Sequence, residues 1–379
     1  MGVDHSRIRP LILHLLFEDK FGEYAVKQFS GAEMCSEFVV VSFRKEGPSA
    51  LSSDIVKTIR YPSDEFKEML GCLGKYHAIV LHGLFYRWQE RVLHAVPPEV
   101  KVAWVFWGGD IYGRSDFYAG YLSVSSKLLL CLQRGSRVLS RKKVKPSYEI
   151  PFPLLQRIHF CLTDIHEDYL FVKQYLKTDI QEIWYNYYSI EETLGDLAEE
   201  KVMGHNVLVG NSSSIECNHL LGFRLIRRLR KGDSKVVVPL SYGEVWLRNK
   251  ILMMGRFFFG RHFMPLVDFI PRPEYNRIIR SCSAVVMPHY RPQAFGNILT
   301  ALWLGSRVFL SEKNVLFAYF RRIGAVVFSI EHDLKKSNPQ VLSPLPENDI
   351  LQNRKAIKAI YGKDVMHQKN LELVKTLNG

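Results

Sequence analysis

The sequence lacks the long apolar run that a membrane-spanning helix requires. Such a helix needs roughly 20 consecutive apolar residues. The most apolar long segment among the 379 residues, Ile251–Ile270, is interrupted by Arg256, Arg261 and Asp268. A short apolar stretch near the N-terminus, Leu11–Leu16, soon meets charged residues and is predicted to be a β-strand, not a signal peptide. A soluble or peripherally bound protein is therefore expected.

Cysteine is scarce, and its spacing supports neither a disulfide framework nor a zinc site. No two cysteines form a C-x-x-C pair. The six residues are Cys35, Cys72, Cys131, Cys161, Cys217 and Cys282. Scattered cysteines of this kind are typical of reduced core residues in a cytosolic protein.

Acidic residues are outnumbered, with 38 Asp and Glu against 51 Lys and Arg, giving a net charge of +13. The excess indicates an anionic partner, which could be nucleic acid, an anionic membrane surface or a phosphorylated ligand. Lys127–Lys145 is basic and free of acids. That tract is either a solvated face or a patch on anionic lipid headgroups, with Arg141, Lys142 and Lys143 as contact candidates.

The glycine motifs of common nucleotide sites are also missing. Neither a Walker A loop nor Gly-x-Gly-x-x-Gly occurs, so a dinucleotide site has no support. A Gly/Asn/Ser loop, Gly210–Ser214, does lie between an apolar run and the helical pattern His219–Arg230. Its Asn211 and Ser212 are candidates for phosphate contacts, or for a helix N-cap cluster, and both roles are compatible.

Short apolar runs alternate with helical patterns along the whole chain. The predicted strands are Leu11–Leu16, Phe38–Phe43, Ala78–Leu81, Val102–Phe106, Phe160–Leu162, Ile183–Tyr185, Val207–Val209, Val236–Val238, Phe263–Val267, Ala284–Met287, Arg307–Leu310 and Ala325–Phe328. This alternation predicts an α/β protein with parallel sheets covered on both faces. Ligands of such sheets lie at the carboxyl ends of the strands.

The length favours two domains. We expect an N-terminal domain over residues 1–190 and a C-terminal domain over 204–350, separated by an acidic linker between Ser189 and Met203. Residues 351–379 have helical spacing and are expected to form a C-terminal helix that packs back on the first domain.

The stretch Met287–Gly305 carries the strongest functional signal. An apolar strand ends at Pro288, a polar loop follows, and an apolar helical pattern then runs to Gly305. The loop and the helix start offer His289, Arg291, Gln293, Gly296 and Asn297. A helix N-terminus presents unpaired N–H groups and positive dipole charge, so this stretch predicts a phosphate or diphosphate site.

Three places in the first half offer candidate catalytic side chains. His14 lies in the first predicted strand, and His82 follows the strand Ala78–Leu81. Asp110 lies on the loop Trp107–Gly113, whose glycines permit a tight turn.

Several motifs in this order resemble one family. They are His82-Gly-Leu-Phe85, Phe106-Trp-Gly-Gly-Asp-Ile-Tyr112, Val209-Gly-Asn-Ser212, Val237-Val-Pro-Leu-Ser-Tyr-Gly243 and Arg291–Gly305. Over about two thirds of the chain, this set is similar to the bacterial TDP-N-acetylfucosamine:lipid II N-acetylfucosaminyltransferases, glycosyltransferase family 56. These enzymes act in enterobacterial common antigen assembly, and an O-antigen enzyme of the same family is an alternative.

The resemblance implies a GT-B fold, in which two Rossmann-like doubly wound domains face each other across a cleft. It implies an inverting transfer, without metal or other cofactor, from a thymidine diphosphate (dTDP) amino-deoxysugar to a polyprenyl-diphosphate-linked saccharide. The expected location is peripheral, at the cytoplasmic face of the bacterial inner membrane, with anionic inner-leaflet lipids as partners. The sequence contains no Asp-x-Asp, the usual metal–diphosphate clamp of the other large glycosyltransferase fold.

An inverting transfer needs one base for the acceptor hydroxyl. Asp110 is the first candidate, against a role as a turn aspartate. His82 and His14 are alternatives, although a lone histidine at a strand end more often packs in the core. Trp107 and Tyr112 are candidates for stacking on acceptor sugars, against simple core burial.

The donor site is expected in the second domain. Tyr242 and Gly243 are candidates to border the thymine, and Glu274 to bind a ribose hydroxyl or the base, against a helix N-terminal carboxylate. The donor set is completed by Asn211, Ser212, His289, Arg291, Gln293, Gly296 and Asn297. His289 is expected to neutralise the leaving phosphate.

Two competing interpretations remain at this point. One is a GT-B transferase of another family that uses a UDP- or GDP-sugar. The other is a basic nucleic-acid-binding protein, which the charge of +13 favours. However, the basic residues are spread over both halves and form no recognisable nucleic-acid motif.

Overall fold

A computed structural model shows the fold of most of the chain. The described residues are 11–17, 21–30, 35–43, 55–139, 148–230, 232–335 and 340–378, with the backbone alone for 134–139. They divide into two compact units, each with its own sheet. Unit 1 comprises Met1–Arg114, Pro146–Tyr188 and Asp364–Gly379, and unit 2 comprises Ser115–Lys145 and Ser189–Lys363.

Strands and helices alternate through both units. The strands are β1 (Leu11–Leu16), β2 (Cys35–Ser42), β3 (Val56–Arg60), β4 (Ala78–His82), β5 (Lys101–Val105), β6 (Phe160–Thr163), β7 (Gln181–Trp184), β8 (Asn206–Val209), β9 (Val236–Pro239), β10 (Phe263–Leu266), β11 (Cys282–Met287), β12 (Arg307–Leu310) and β13 (Phe328–Ser329). The helices are α1 (Gly22–Phe29), α2 (Asp64–Gly71), α3 (Arg87–Ala95), α4 (Gly109–Tyr112), α5 (Ser115–Tyr118), α6 (Val124–Leu139), α7 (Phe152–Leu155), α8 (His166–Leu176), α9 (Ile190–Leu194), α10 (His219–Leu229), α11 (Val245–Phe259), α12 (Arg272–Arg280), α13 (Phe295–Leu304), α14 (Val315–Arg322), α15 (Glu347–Tyr361) and α16 (Lys363–Asn378).

The sheet of unit 1 is parallel, in the order β3-β2-β1-β4-β5-β6-β7. Central strands β1 and β4 are apolar along almost their whole length and are buried. This is the pattern expected when helices cover both faces of a parallel sheet. The connections diverge between β1 and β4, so the loops after these two strands border the switch point of unit 1.

The sheet of unit 2 is also parallel and has the order β10-β9-β8-β11-β12-β13. Pro265 is accommodated because β10 is at the edge, where a missing N–H disrupts least. Here the connections diverge between β8 and β11. Their loops, 210–214 and 288–294, therefore border the switch point of unit 2.

Two helix layers cover the second sheet. Helix α10 packs against α11 and α6 in one layer, while α13 packs against α12, α15 and α9 in the other. Right-handed crossovers place α10 and α11 on the face opposite α13 and α14. The core beneath the first layer includes Phe223, Ile226 and Ile251, all inaccessible to solvent.

The predicted α/β alternation is confirmed, with differences that have physical causes. Strand β3 was not predicted, because only Ile59 in it is buried and its apolar pattern is weak. The expected C-terminal helix is wrong as a single element. The chain breaks at Gly362 into α15 and α16, and the second of these packs on unit 1 through Leu373 and Leu377.

The acidic segment between Ser189 and Met203 is folded. It contains α9, capped by the Ser189 hydroxyl and Glu192, and buries Ile190 and Leu194. Its acids lie outward, and Asp196 pairs with Arg277 at 2.8 Å. The acidic composition therefore reflects the solvent-facing side of a folded segment.

Gly204 provides a test of the packing at the start of β8. The backbones of Met203 and Asn206 donate to Arg280 and Ser281, and a Cβ on Gly204 would lie 2.3 Å from the carbonyl oxygen of Ser281. Gly204→Ala should lower the free energy of unfolding by about 1–3 kcal/mol in urea titrations. Gly71→Ala, at the end of α2 with nothing within 4 Å, is the control and should be neutral or stabilising. Equal losses in both variants would contradict this packing.

Candidate functional site

The loop after β8 turns sharply at Gly210, which has a φ of +70°. A Cβ at that position would lie 3.0 Å from Nε2 of His219, so glycine is required for close approach to α10. Beyond the turn, the Cys217 thiol donates to Oδ1 of Asn211 at 3.1 Å and lies 3.6 Å from the Ser212 hydroxyl. The two predicted phosphate contacts thus lie together on one ordered loop.

Asn218 connects this loop with the loop after β11. It is fully buried at the start of α10, with a φ of +49°. Its Oδ1 accepts from the backbone N–H of Ser123 and from the Ser126 hydroxyl, both at 2.8 Å. Its Nδ2 donates to the Pro288 carbonyl at 3.0 Å. The carboxamide therefore fixes the two walls of the switch point relative to each other.

Arg291 lies on the second wall and is nearly buried. Its guanidinium is 3.7 Å from the Glu216 carboxylate, and the two side chains are 14% and 11% exposed. Its Nε is buried without a hydrogen-bond partner. Gln293 donates to the Cys217 sulfur at 3.4 Å. The predicted donor residues Asn211, Ser212 and Gln293 are therefore brought together around Cys217, and Arg291 pairs with the neighbouring Glu216.

His289 is inaccessible to solvent and is held by Asn314. Oδ1 of Asn314 accepts the Leu316 N–H, so its Nδ2 donates to His289 Nδ1 at 2.8 Å and to two backbone carbonyls. The ring proton then belongs on Nε2, which is buried without a partner. Burial, assisted by the charge of Arg291, lowers the His289 pKa to about 3.

A neutral imidazole can donate a hydrogen bond but brings no positive charge. The expectation that His289 neutralises a phosphate by its charge is therefore replaced by a donor role. His219 is alike: burial lowers its pKa to about 3, and its Nε2 also lacks a partner.

Helix α13 begins directly beside this group. Ala294 precedes the helix with a φ of +61°, and no side chain caps the N-terminus. The backbone N–H groups of the first turn, which includes Gly296 and Asn297, carry the positive end of the helix dipole. The Asn297 side chain donates to the Tyr275 hydroxyl at 3.1 Å. An anion at this point would meet backbone N–H groups on one side and Arg291 on the other.

The loop after β9 joins the loop after β8. Gly243 has a φ of +103°, and a Cβ there would lie 2.6 Å from the backbone of Ser213. The Tyr242 carbonyl accepts from both the Ser213 N–H and its hydroxyl, while the Tyr242 ring is 53% exposed. Glu274 is exposed in the first turn of α12.

In unit 1, the carboxyl ends of the strands carry a buried chain of hydrogen bonds. His14 Nδ1 lies 3.2 Å from His82 Nε2, and His82 Nδ1 lies 2.7 Å from the Tyr187 hydroxyl. Trp107 Nε1 donates to the same hydroxyl at 3.0 Å. Burial lowers the His82 pKa to about 3 and the His14 pKa well below its usual value. Both rings are therefore neutral.

Asp110 is 7% exposed at the start of α4. Its Oδ2 accepts from Trp104 Nε1 at 2.8 Å and from the Trp107 N–H at 3.4 Å, while its Oδ1 is buried without a partner. Burial raises the Asp110 pKa to about 7, against the lowering effect of these hydrogen bonds. A carboxyl that titrates near neutral pH can take or give a proton.

Aromatic rings surround this end of the sheet. Phe17 contacts Phe85, Tyr86 and Trp107 with centroid distances of 5.5, 5.0 and 5.0 Å, and Phe21 meets Trp107 edge-on at 4.8 Å. Such rings provide apolar faces of the kind that pack on sugars. Trp107 belongs to this aromatic group and is half-buried.

Of the two roles considered for Tyr112, sugar stacking and core burial, the structure shows core burial. Its side chain is 2% exposed, stacks on Phe171 at 4.6 Å and donates to Asp168 at 2.7 Å. The membrane candidates Arg141, Lys142 and Lys143 lie outside the described residues.

Asn218, Glu216, Tyr275 and Tyr187 are site residues that the sequence analysis missed. Glu216 and Asn218 come two and four residues after the end of the Gly/Asn/Ser loop, so their position was the available signal. Tyr275 and Tyr187 reach the sites from distant elements.

No protein-family model and no curated protein matches the chain. Solved structures do match. Sucrose-phosphate synthase from Thermosynechococcus elongatus is 12% identical, with a TM-score of 0.62 over 97% of this chain and 99% of that one. A UDP-forming trehalose-phosphate synthase from Burkholderia xenovorans is 9% identical, with a TM-score of 0.63 over 98% of this chain and 99% of that one. The Anabaena protein HepE, in complex with UDP and glucose, is 11% identical, with a TM-score of 0.55 over 97% of this chain and 99% of that one. The likeness confirms the predicted GT-B fold.

The raised pKa of Asp110 predicts a pH dependence of stability. The carboxyl is ionised above about pH 4 in the unfolded chain but stays protonated up to about pH 7 in the folded chain. Folding therefore loses stability as pH rises through this window. Asp110→Asn should remove that loss. In urea titrations at pH 5 and pH 7, the free energy of unfolding of the variant relative to wild type should rise by about 1.4 kcal/mol per pH unit. If the difference in stability between variant and wild type were the same at pH 5 and at pH 7, a buried and protonated Asp110 carboxyl would be contradicted.

Proposed function

We propose that the protein is an inverting glycosyltransferase of the hexosyltransferase type that uses a dTDP-amino-deoxysugar as donor. The observation that carries the proposal is the arrangement at the β8/β11 switch point. There, an uncapped α13 N-terminus lies beside Arg291 and two buried imidazoles with unpaired nitrogens. The similarity in fold to a UDP-forming trehalose-phosphate synthase supports a nucleotide-sugar donor.

The diphosphate is the group that this arrangement suits. Its negative charge would be met by the α13 N–H groups and the Arg291 guanidinium. His289 would add a neutral donor through Nε2. The exposed Tyr242 ring is the candidate contact for the base, and Glu274 for the ribose. These groups would also stabilise the charge that develops on the leaving diphosphate.

The transfer itself needs a base for the acceptor hydroxyl. Ionised Asp110 would take the hydroxyl proton as the acceptor oxygen bonds to the anomeric carbon. The bond from that carbon to the diphosphate oxygen breaks, and dTDP leaves with the electron pair. A pKa of about 7 leaves a substantial ionised fraction at neutral pH. The neutral His82 and His14 remain alternative bases.

We assign the acceptor as a polyprenyl-diphosphate-linked saccharide in surface polysaccharide assembly, on the resemblance of the Trp107–Tyr112 and Arg291–Gly305 motifs. The donor sugar would be N-acetylfucosamine or a close relative. This proposal places the protein at the cytoplasmic face of the inner membrane, against anionic lipids. Across the described residues, no helix is long and apolar enough to cross a membrane.

A UDP-sugar donor is the second candidate, because HepE is similar in fold and was solved with UDP. A nucleotide panel separates the two. Thermal stabilisation by dTDP, with little effect of UDP or GDP, is the expected result, since the stability gain follows ligand affinity. Stabilisation by UDP alone would reassign the donor, and none by any nucleotide would overturn the site.

Arg291 should carry much of the diphosphate affinity. Glu216→Gln/Arg291→Ala removes the cation without leaving a buried carboxylate unpaired. The dTDP dissociation constant in calorimetry should rise about 10- to 100-fold, as expected for a lost charge-assisted hydrogen bond. Glu216→Gln alone and Arg321→Ala, an exposed residue in the last turn of α14, are controls that should retain affinity. Unchanged affinity in the double variant would exclude this site for the diphosphate.

Asp110→Asn should lower the rate of transfer by a factor of about 100 or more, with the affinity for dTDP unchanged. Asp168→Asn is the matched control, because Asp168 is also buried and its pKa is raised to about 8, yet it bonds to Tyr112 in the core. Turnover would be followed as dTDP release with a panel of lipid-linked acceptors. Normal turnover by Asp110→Asn would exclude it as the base.

A further inference from the structure

One helix layer of unit 2 is free of acidic residues. We call α6, α10 and α11 the basic helix layer, since α10 packs against both of the others. None of the three helices contains Asp or Glu in its sequence. The acids of unit 2 lie instead in segments such as α9, with Glu191 and Glu192, and α15, with Glu347 and Asp349. Both helices belong with α13, on the other face of the sheet.

Each helix of the layer buries one side and exposes another. On the inner side, Leu130 of α6, Phe223 of α10 and Ile251 of α11 pack in the core. The outward basic residues are Lys127, Arg224, Arg227, Arg228, Lys250 and Arg256. Among the described residues, none of these six forms an ion pair. Arg227 lies over the Phe258 ring at 5.5 Å, which leaves its charge uncompensated. A set of cations without carboxylate partners favours an anionic partner outside the chain.

Large apolar side chains are also exposed on two helices of this layer. Val124, Leu128 and Leu132 of α6 are 85%, 61% and 64% exposed, and they repeat every fourth residue along one stripe. Met253 and Phe257 of α11 are 59% and 79% exposed and are also four residues apart. Helical residues at this spacing share a face. The exposed surface of the layer is thus both basic and apolar.

We infer that the basic helix layer is a docking surface for an anionic lipid bilayer. Basic side chains are attracted to anionic headgroups, while exposed apolar side chains at the same level gain by entering the interface. Nucleic acid would use the cations but gives no reason for Phe257, Met253 and the α6 stripe to be exposed. From the proposed function, the inference takes only the expectation of a membrane surface. The inference requires neither the donor nor the acceptor, so the membrane surface and the proposed function can fail separately.

Vesicle sedimentation tests the surface by charge and by hydrophobicity. Wild type should bind phosphatidylcholine vesicles with about a third phosphatidylglycerol, and not phosphatidylcholine alone. Arg224→Glu/Arg228→Glu/Lys250→Glu should weaken binding by at least about tenfold. Leu128→Ser/Met253→Ser/Phe257→Ser should abolish the part of the binding that resists high salt. Leu351→Ser/Lys355→Glu/Lys358→Glu, on exposed positions of α15, is the matched control and should bind as wild type does.

A fluorescent label gives a second measurement that does not rely on these variants folding. Cys131 is exposed on α6, whereas Cys72 is exposed in unit 1. A polarity-sensitive dye on Cys131, in a Cys35→Ser/Cys72→Ser background, should shift to the blue with anionic vesicles. The same dye on Cys72, with Cys35→Ser/Cys131→Ser, should not. Equal shifts at both positions, or binding to a DNA duplex without binding to vesicles, would overturn the inference.

Discussion

The order of the strands in the second sheet decides where a ligand can bind. Because β8 and β11 are neighbours whose connections run in opposite directions, their loops part and leave a crevice at the carboxyl edge. The buried carboxamide of Asn218 spans that divergence by bonding to Pro288 and to the segment before α6. These two loops carry Cys217 on one wall of the crevice, and Arg291 and the α13 N-terminus on the other. The topology therefore opens the crevice, and a single hydrogen-bonding side chain fixes its two walls.

Burial lowers the pKa values of histidines in both units and raises those of carboxyl groups in unit 1. It keeps His14, His82, His219 and His289 neutral and raises the pKa of Asp110 to about 7. Neutral imidazoles bring no positive charge to an anion, and the two in unit 2, His219 and His289, have unpaired Nε2 atoms. In the proposed function, positive charge for a diphosphate would come from Arg291 and the helix dipole. Proton transfer would fall first to Asp110, whose Oδ1 is buried without a partner.

The sequence predicted much of this fold because its local signals are strong. Pro288 marks the end of a strand and Gly305 the end of a helix on either side of the loop 288–294. The structure places both where the pattern indicated, and α13 begins at Phe295. Contacts between residues far apart in the sequence could not be predicted. Periodicity could not show that Tyr112 would bond to Asp168 or that Asn218 would meet Ser123, since these pairs are 56 and 95 residues apart. Exposed β3 gave too weak a pattern to detect.

The central claim is that the diphosphate of a nucleotide sugar binds at the β8/β11 switch point. Hydrogen–deuterium exchange with and without saturating dTDP tests it directly, because bound oxygen atoms slow the exchange of the amides that they contact. The account predicts slower exchange in residues 211–214 and 289–297, with unit 1 unchanged. Protection confined to residues 83–86 and 107–110, or none in either segment of unit 2, would contradict it.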